Sequence, residues 1–208
     1  MAEMISPLSS DQNHARIVGA ATRVFFQRGF HRVPVDTLAK ELGMSKKTLY
    51  TSFESKNSLL EEVLRNLTRQ IEEELGKVLE KEESFPEKFR NFIRYFHRKM
   101  SQIHPSFLED VRRHAPNSWG IVEEFRSRMI PVYFGRLLED GIKEGFLRSD
   151  LNRELFLRLL LGAVQGMMNP TAIMESGMSP IAIIDGMMSI LFEGILTPAG
   201  RRKFQGSS

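Results

Sequence analysis

Apolar residues recur at helical spacing along nearly the whole chain, and no segment sustains the apolar-polar alternation that marks a strand. Val18, Ala21, Val24 and Phe25 lie on one face of a first helix, which Gly29 stops at its C-terminal side. In the stretch VPVDTLAKELG that follows, proline suits a first helical turn, and Leu38, Ala39 and Leu42 share a face. Gly43 and Met44 make a tight turn, Ser45 stands where a cap belongs, and a short helix is predicted from Lys46 to Ser52. A second cap, Ser55, opens a long helix striped by Leu59, Leu60, Val63, Leu64, Leu67, Ile71, Leu75 and Val78. After the punctuation KEESFPEK, helices are predicted over 86–102, 106–114 and 118–144; Gly145 closes the third and Asp150 caps its successor. The last two, over 152–168 and 180–196, are apolar on nearly all sides, so a second subunit is expected to cover them. The closing RRKFQGSS reads as a frayed tail.

The stretch from Leu38 to Phe53 carries the most specific chemistry. A helix-turn-helix needs a small residue where its helices cross, a glycine in the turn and an apolar anchor on the second helix. Ala39, Gly43 and Leu49 meet these needs, with Leu38, Leu42 and Met44 completing a small core. With Leu49 inward, Lys46, Lys47, Thr48, Thr51 and Ser52 face outward. Lysine neutralises phosphates and reaches guanine acceptors, while hydroxyls bond bases or backbone. Ser45 and the amides beside it suit a phosphate, as does Lys56 on the flanking strand; Tyr50 joins the set, although packing beside Phe53 would also explain it. Charge supports the reading. Between Gln12 and Ser58 eight Lys or Arg face three acids, a local excess of five against +3 for the chain of 208 residues. The basic character therefore belongs to the N-terminal quarter, and Arg16 and Arg32 within it read as ordinary surface charge.

The sequence from Arg16 to Leu64 resembles the N-terminal DNA-binding domain of TetR-type transcriptional regulators: Gly29-Phe30 follows the first helix, Leu49-Tyr50 and Phe53 belong to the recognition helix, and Lys56 stands just beyond. The remainder is similar in its all-helical plan and in EGFLRSD before the penultimate helix. One departure is Val33-Pro34, where such regulators carry a hydroxyl residue opening the second helix, so no phosphate contact is expected there. The expected fold is all-α: a three-helix DNA-binding domain over 11–58, a helical ligand-binding and dimerisation domain over 59–197, and a tail over 198–208. The resemblance implies a homodimeric repressor on double-stranded operator DNA, released when its C-terminal domain binds a small-molecule effector. A helical sensor or carrier without specific DNA binding is the alternative.

Eight of the eleven methionines fall from Met100 onward, together with many aromatics. Phe92, Phe96, Trp119, Met129, Tyr133, Gln165 and Met168 are the candidate lining of an apolar or amphipathic ligand site, Tyr133 and Gln165 serving as polar anchors. Each would also serve as plain core. For the dimer interface the final two helices supply Leu160, Val164, Ile184, Met187, Met188 and Leu191, with Gly162 and Gly166 allowing close approach of helices, between subunits or within one. Without cysteine there is no disulfide framework, thiolate metal site or thiol catalysis. The five histidines show no zinc-binding spacing, and no phosphate loop, dinucleotide fingerprint or nucleophile elbow is present, so neither cofactor, metal nor catalysis is expected. The N-terminal stretch lacks the form of a leader, and no run reaches the roughly 20 apolar residues of a membrane span. A cytoplasmic protein is the expectation.

Overall fold

The computed structural model describes residues 10–205, and every regular element among them is a helix. Residues 1–9 and 206–208, parts of the stretches read for a leader and for a frayed tail, lie outside the described residues. The chain opens with α1 (Ser10–Arg28), α2 (Val35–Glu41) and α3 (Lys46–Ser52). Gly29 ends α1 with φ of 83°, a left-handed backbone that favours glycine, and a Cβ there would stand 2.5 Å from Asp110 Oδ2 and push that carboxylate aside. Pro34 is the residue before α2 rather than part of its first turn, and it offers no side-chain cap. Ser45 caps α3 by accepting the Thr48 amide at 3.0 Å. Ser55 and Ser58 form a reciprocal box at the head of α4 (Lys56–Glu80).

Ile17, Ala21, Phe25, Leu38, Leu49, Leu59, Leu60 and Val63 are buried together, each large side chain contributing about 2 kcal/mol by leaving water. This core does not close on itself. It takes in Phe107 and Val111 of α6 (Pro105–His114): the Phe26 and Phe107 rings lie 5.0 Å apart, and the His104 amide donates to the Phe26 carbonyl at 2.8 Å. Hydrophobic packing thus runs across the division expected at residue 58, through the first half of α4 and through α6.

The second core is built on α5 (Phe85–Met100), α7 (Pro116–Met129), α8 (Gly135–Lys143), α9 (Arg153–Met167) and α11 (Pro180–Glu193), with Phe85, Phe92, Leu137, Leu138 and Leu160 wholly buried. The single helix expected over 118–144 starts at Pro116 and is interrupted by a π-helical turn, Ile130–Phe134. Pro131 lies inside that turn; it has no amide to donate and its ring crowds the preceding carbonyls, which a widened turn accommodates. Asn152, not Asp150, caps α9, accepting the Leu155 amide at 3.0 Å. Two short helices were not expected: α10 (Pro170–Ser176), capped by Asn169 and ended by Gly177, and α12 (Pro198–Gln205), in the stretch read as a frayed tail. The chain is anchored just before α12, where the Thr197 amide donates to the Phe146 carbonyl and Leu147 pairs with Leu196, and the Gly200 amide donates to the Thr197 hydroxyl. Among the described residues no helix is long and apolar enough to cross a membrane.

Candidate functional site

The short helix α3 is held from three sides and presents the rest of its surface to solvent. Leu49 is 2% exposed beneath it, Met44 packs against the same core, and the Arg16 guanidinium donates to the Leu42 carbonyl at 3.1 Å, bracing the turn. Arg16 is therefore a strut rather than loose surface charge. At 3.6 residues per turn, Lys47 and Thr51 point directly away from Leu49, Thr48 and Ser52 occupy one flank, and Lys46 and Tyr50 the other. Lys46 stands 3.3 Å from the Asp36 carboxylate of α2, an exposed pair. Thr51 donates to the Lys47 carbonyl, the Ser45 and Thr48 hydroxyls share a 2.8 Å hydrogen bond, and Tyr50 is 41% exposed.

Lys56 departs from its expected role. Its ammonium donates to the Phe30 carbonyl at 2.6 Å and the His31 carbonyl at 3.3 Å, and lies 4.4 Å above the Phe30 ring. Burial pushes its pKa down, opposed by the Asp110 charge. Lys56 thus clamps the loop after α1. On the Thr48 and Ser52 flank, a polar groove of about 470 Å³ runs between α3 and α1, lined by Asn13 and His14 as well as Lys47, Thr48, Thr51 and Ser52. The sequence reading missed Asn13 and His14, because only the fold brings the first turns of α1 beside α3.

Residues 17–63 match the family model described as bacterial regulatory proteins, tetR family. That stretch is a TetR-type DNA-binding domain, and the chain around it is similar to transcriptional regulators. The chain is 22% identical over 181 residues to the uncharacterized HTH-type transcriptional regulator YvaF of Bacillus subtilis (strain 168), covering 86% of this chain and 94% of that one. Its fold is similar to that of a TetR-family transcriptional regulator from Agrobacterium tumefaciens, with a TM-score of 0.68 at 14% identity, covering 91% of this chain and 100% of that one. It is also similar to FadR from Bacillus subtilis in complex with stearoyl-CoA, with a TM-score of 0.62 at 18% identity, covering 86% and 97%.

In the chain's C-terminal part, an apolar cavity of about 120 Å³ lies between α4, α5, α6, α7, the π turn, α9 and α11. Of the candidate lining residues, Phe96, Met129 and Met168 reach it. Phe92 does not; it is buried behind, edge-on to Phe134 at 4.6 Å. Trp119 packs on the N-terminal core, Tyr133 lies half-buried near Glu72, Arg128 and Arg136, and Gln165 donates to Glu123 at 3.1 Å, so none of these three lines the cavity. Thr68 and Arg126 supply the polar side chains of the wall instead. Arg126, 8% exposed, donates to Glu123 Oε1 and to the Met168 carbonyl, each at 2.9 Å, and its guanidinium lies 5.3 Å from the Trp119 ring. Burial lowers its pKa while Glu123 opposes the change. In the string EEFRSR it reads as one more surface charge; only the neighbouring wall of α9 makes it interior.

The residues expected at the dimer interface face the interior of the subunit on α9 and α11. Leu160 and Met188 are buried in the subunit core, Val164, Ile184 and Met187 line the cavity, and Leu191 packs against the same core. Outward face Leu155 (54% exposed), Leu159 (55%) and Met167 (39%) on α9, and Ile190 (78%) on α11. Gly162, Gly166 and Gly186 open onto empty space, so none of them serves close packing within the subunit.

Proposed function

We propose that the regulator acts as a homodimeric repressor whose α3 helices read two half-sites of an operator, and that a small apolar effector in the cavity releases it. Lys46, Lys47, Thr48, Tyr50, Thr51, Ser52 and the Ser45 cap form the groove-facing surface, and Lys56 is withdrawn from that set. Dimerisation uses the outer faces of α9 and α11. The protein acts in the cytoplasm by binding rather than by turnover, with residues 11–58 as the reading unit and the helices beyond as the sensing unit.

The observation that carries this reading is that Leu64 of α4, with Ile103 and Leu108 just before and within α6, belongs both to the core under the DNA-binding helices and to the cavity wall. Whatever fills the cavity presses on the residues that aim α3. As it stands the space suits a group of about benzene size. FadR, solved with stearoyl-CoA, holds a far longer molecule. A larger effector enters here by displacing the flexible Met100, Met129, Met168 and Met187 and parting α4 from α6. The enclosed state is then the DNA-binding state, and the effector acts through its differential affinity for the opened one.

The test is selection of bound sequences from a random duplex pool, followed by affinity for the selected site against scrambled DNA at fixed physiological salt. A palindromic site preferred by about a thousandfold or more supports the repressor reading. A folded protein that enriches nothing is the sensor or carrier. With the operator in hand, a panel of small apolar compounds is scored for both raised melting temperature and lost DNA binding; compounds that raise melting without releasing DNA contradict the coupling.

A further inference from the structure

We propose that Asn13 and His14 of α1 form a second wall of the DNA interface, clasping the sugar-phosphate backbone that borders the groove read by α3. The proposal rests on α3 being the reading helix.

A helix that fills the major groove, about 12 Å wide, has a phosphate backbone along each flank. Here the two flanks differ. On the Lys46 side stands Asp36, an acid that already holds the lysine. On the Thr48 and Ser52 side stands the groove shared with α1, whose lining is polar throughout and contains no carboxylate. Asn13 brings an amide donor and His14 an imidazole donor to that flank, and Lys47 brings a cation, which is the chemistry that holds phosphate oxygens.

His14 is also fixed in place. Its ring lies 4.6 Å from that of Phe53, the residue that closes α3 and is itself 6% exposed. The imidazole therefore moves with α3 as one body and loses little freedom on meeting DNA. Phosphate contacts set the orientation of a reading helix, so this clasp fixes the angle at which α3 enters the groove.

The experiment uses the full chain on its selected operator. His14→Phe keeps an aromatic ring on Phe53 and removes the donor; Asn13→Ala removes the other. Each is measured for melting temperature, operator affinity at fixed salt and phosphate-ethylation interference, with Lys47→Ala as the control. The expected result is an unchanged melting temperature and affinity weakened by about tenfold or more per dimer. Ethylation of flanking phosphates should block the parent and become harmless to the variant. If both variants bind and footprint like the parent while Lys47→Ala weakens binding, the clasp is wrong and α3 remains the reading helix. If Lys47→Ala also has no effect, the assignment of α3 falls with it. Should His14→Phe lower the melting temperature, Asn13→Ala decides by the same footprint.

Discussion

Two lysines nine residues apart in one motif have opposite roles, and their surroundings explain why. Lys47 stands on the outermost line of α3, exposed, in a groove without acids. Lys56 is turned inward onto two backbone carbonyls and an aromatic face. Lys47→Ala should leave the melting temperature unchanged and lower the salt slope of operator binding by about one per subunit, the signature of a lost phosphate contact. Lys56→Met keeps the stem over Phe30 but abandons two carbonyls. It should lower stability by about 1–2 kcal/mol and leave the salt slope intact, because its hydrogen bonds are charged yet only half-buried. Denaturant melts and salt titrations of both variants separate the roles, and a salt slope that fell for Lys56→Met would return that residue to the DNA surface. Sequence alone could not distinguish the two, since the carbonyls that hold Lys56 belong to a loop 25 and 26 residues away.

The ends of the helices were more legible than their faces. Gly29, Gly43, Gly145, Ser45 and Ser55 act where the sequence placed them, because a left-handed turn or a capped amide is a local matter. The orientation of α9 and α11 was not readable, since a helix apolar all round has no stripe to choose between core and partner. α10 and α12 were too short to show a period, and the π turn at Pro131 sits inside a pattern that otherwise reads as one helix. Packing between elements also sets chemistry the sequence hides. Tyr95 of α5 donates its hydroxyl to the Gln70 carbonyl of α4 at 3.2 Å, and burial pushes its pKa up to about 12. A phenol whose folded pKa is raised contributes stability that is present below its unfolded value near 10 and is lost as pH rises through 12. The parent should therefore exceed Tyr95→Phe in stability by about 1 kcal/mol at pH 9, and the gap should narrow as pH approaches 12. A gap constant over that range would mean that the hydroxyl does not hold α5 to α4.

At the scale of the whole molecule, the core under α3 and the cavity wall share residues, and the proposed dimer is what would turn that shared packing into regulation. One α3 contacts only a half-site. Two, held about 34 Å or a small multiple apart, bind as a linked pair whose second contact is effectively intramolecular. In the proposed dimer the spacing is set by the faces of α9 and α11, where Leu155, Leu159 and Ile190 stand exposed beside glycines with no neighbour in the subunit. Ile190→Asp alters a side chain that is 78% exposed and so should leave each subunit folded. In the dimer it would place two carboxylates in an apolar seam. The expected outcome is a monomer by sedimentation, with helix content retained, an intact cavity and operator affinity reduced toward the non-specific level. Leu160→Asp, on the same pair of helices but wholly buried, should instead unfold the C-terminal part. If Ile190→Asp and Leu159→Asp both remain dimeric and bind the operator fully, the subunits meet on another surface. The effector would then have to change half-site spacing by some route other than α9 and α11.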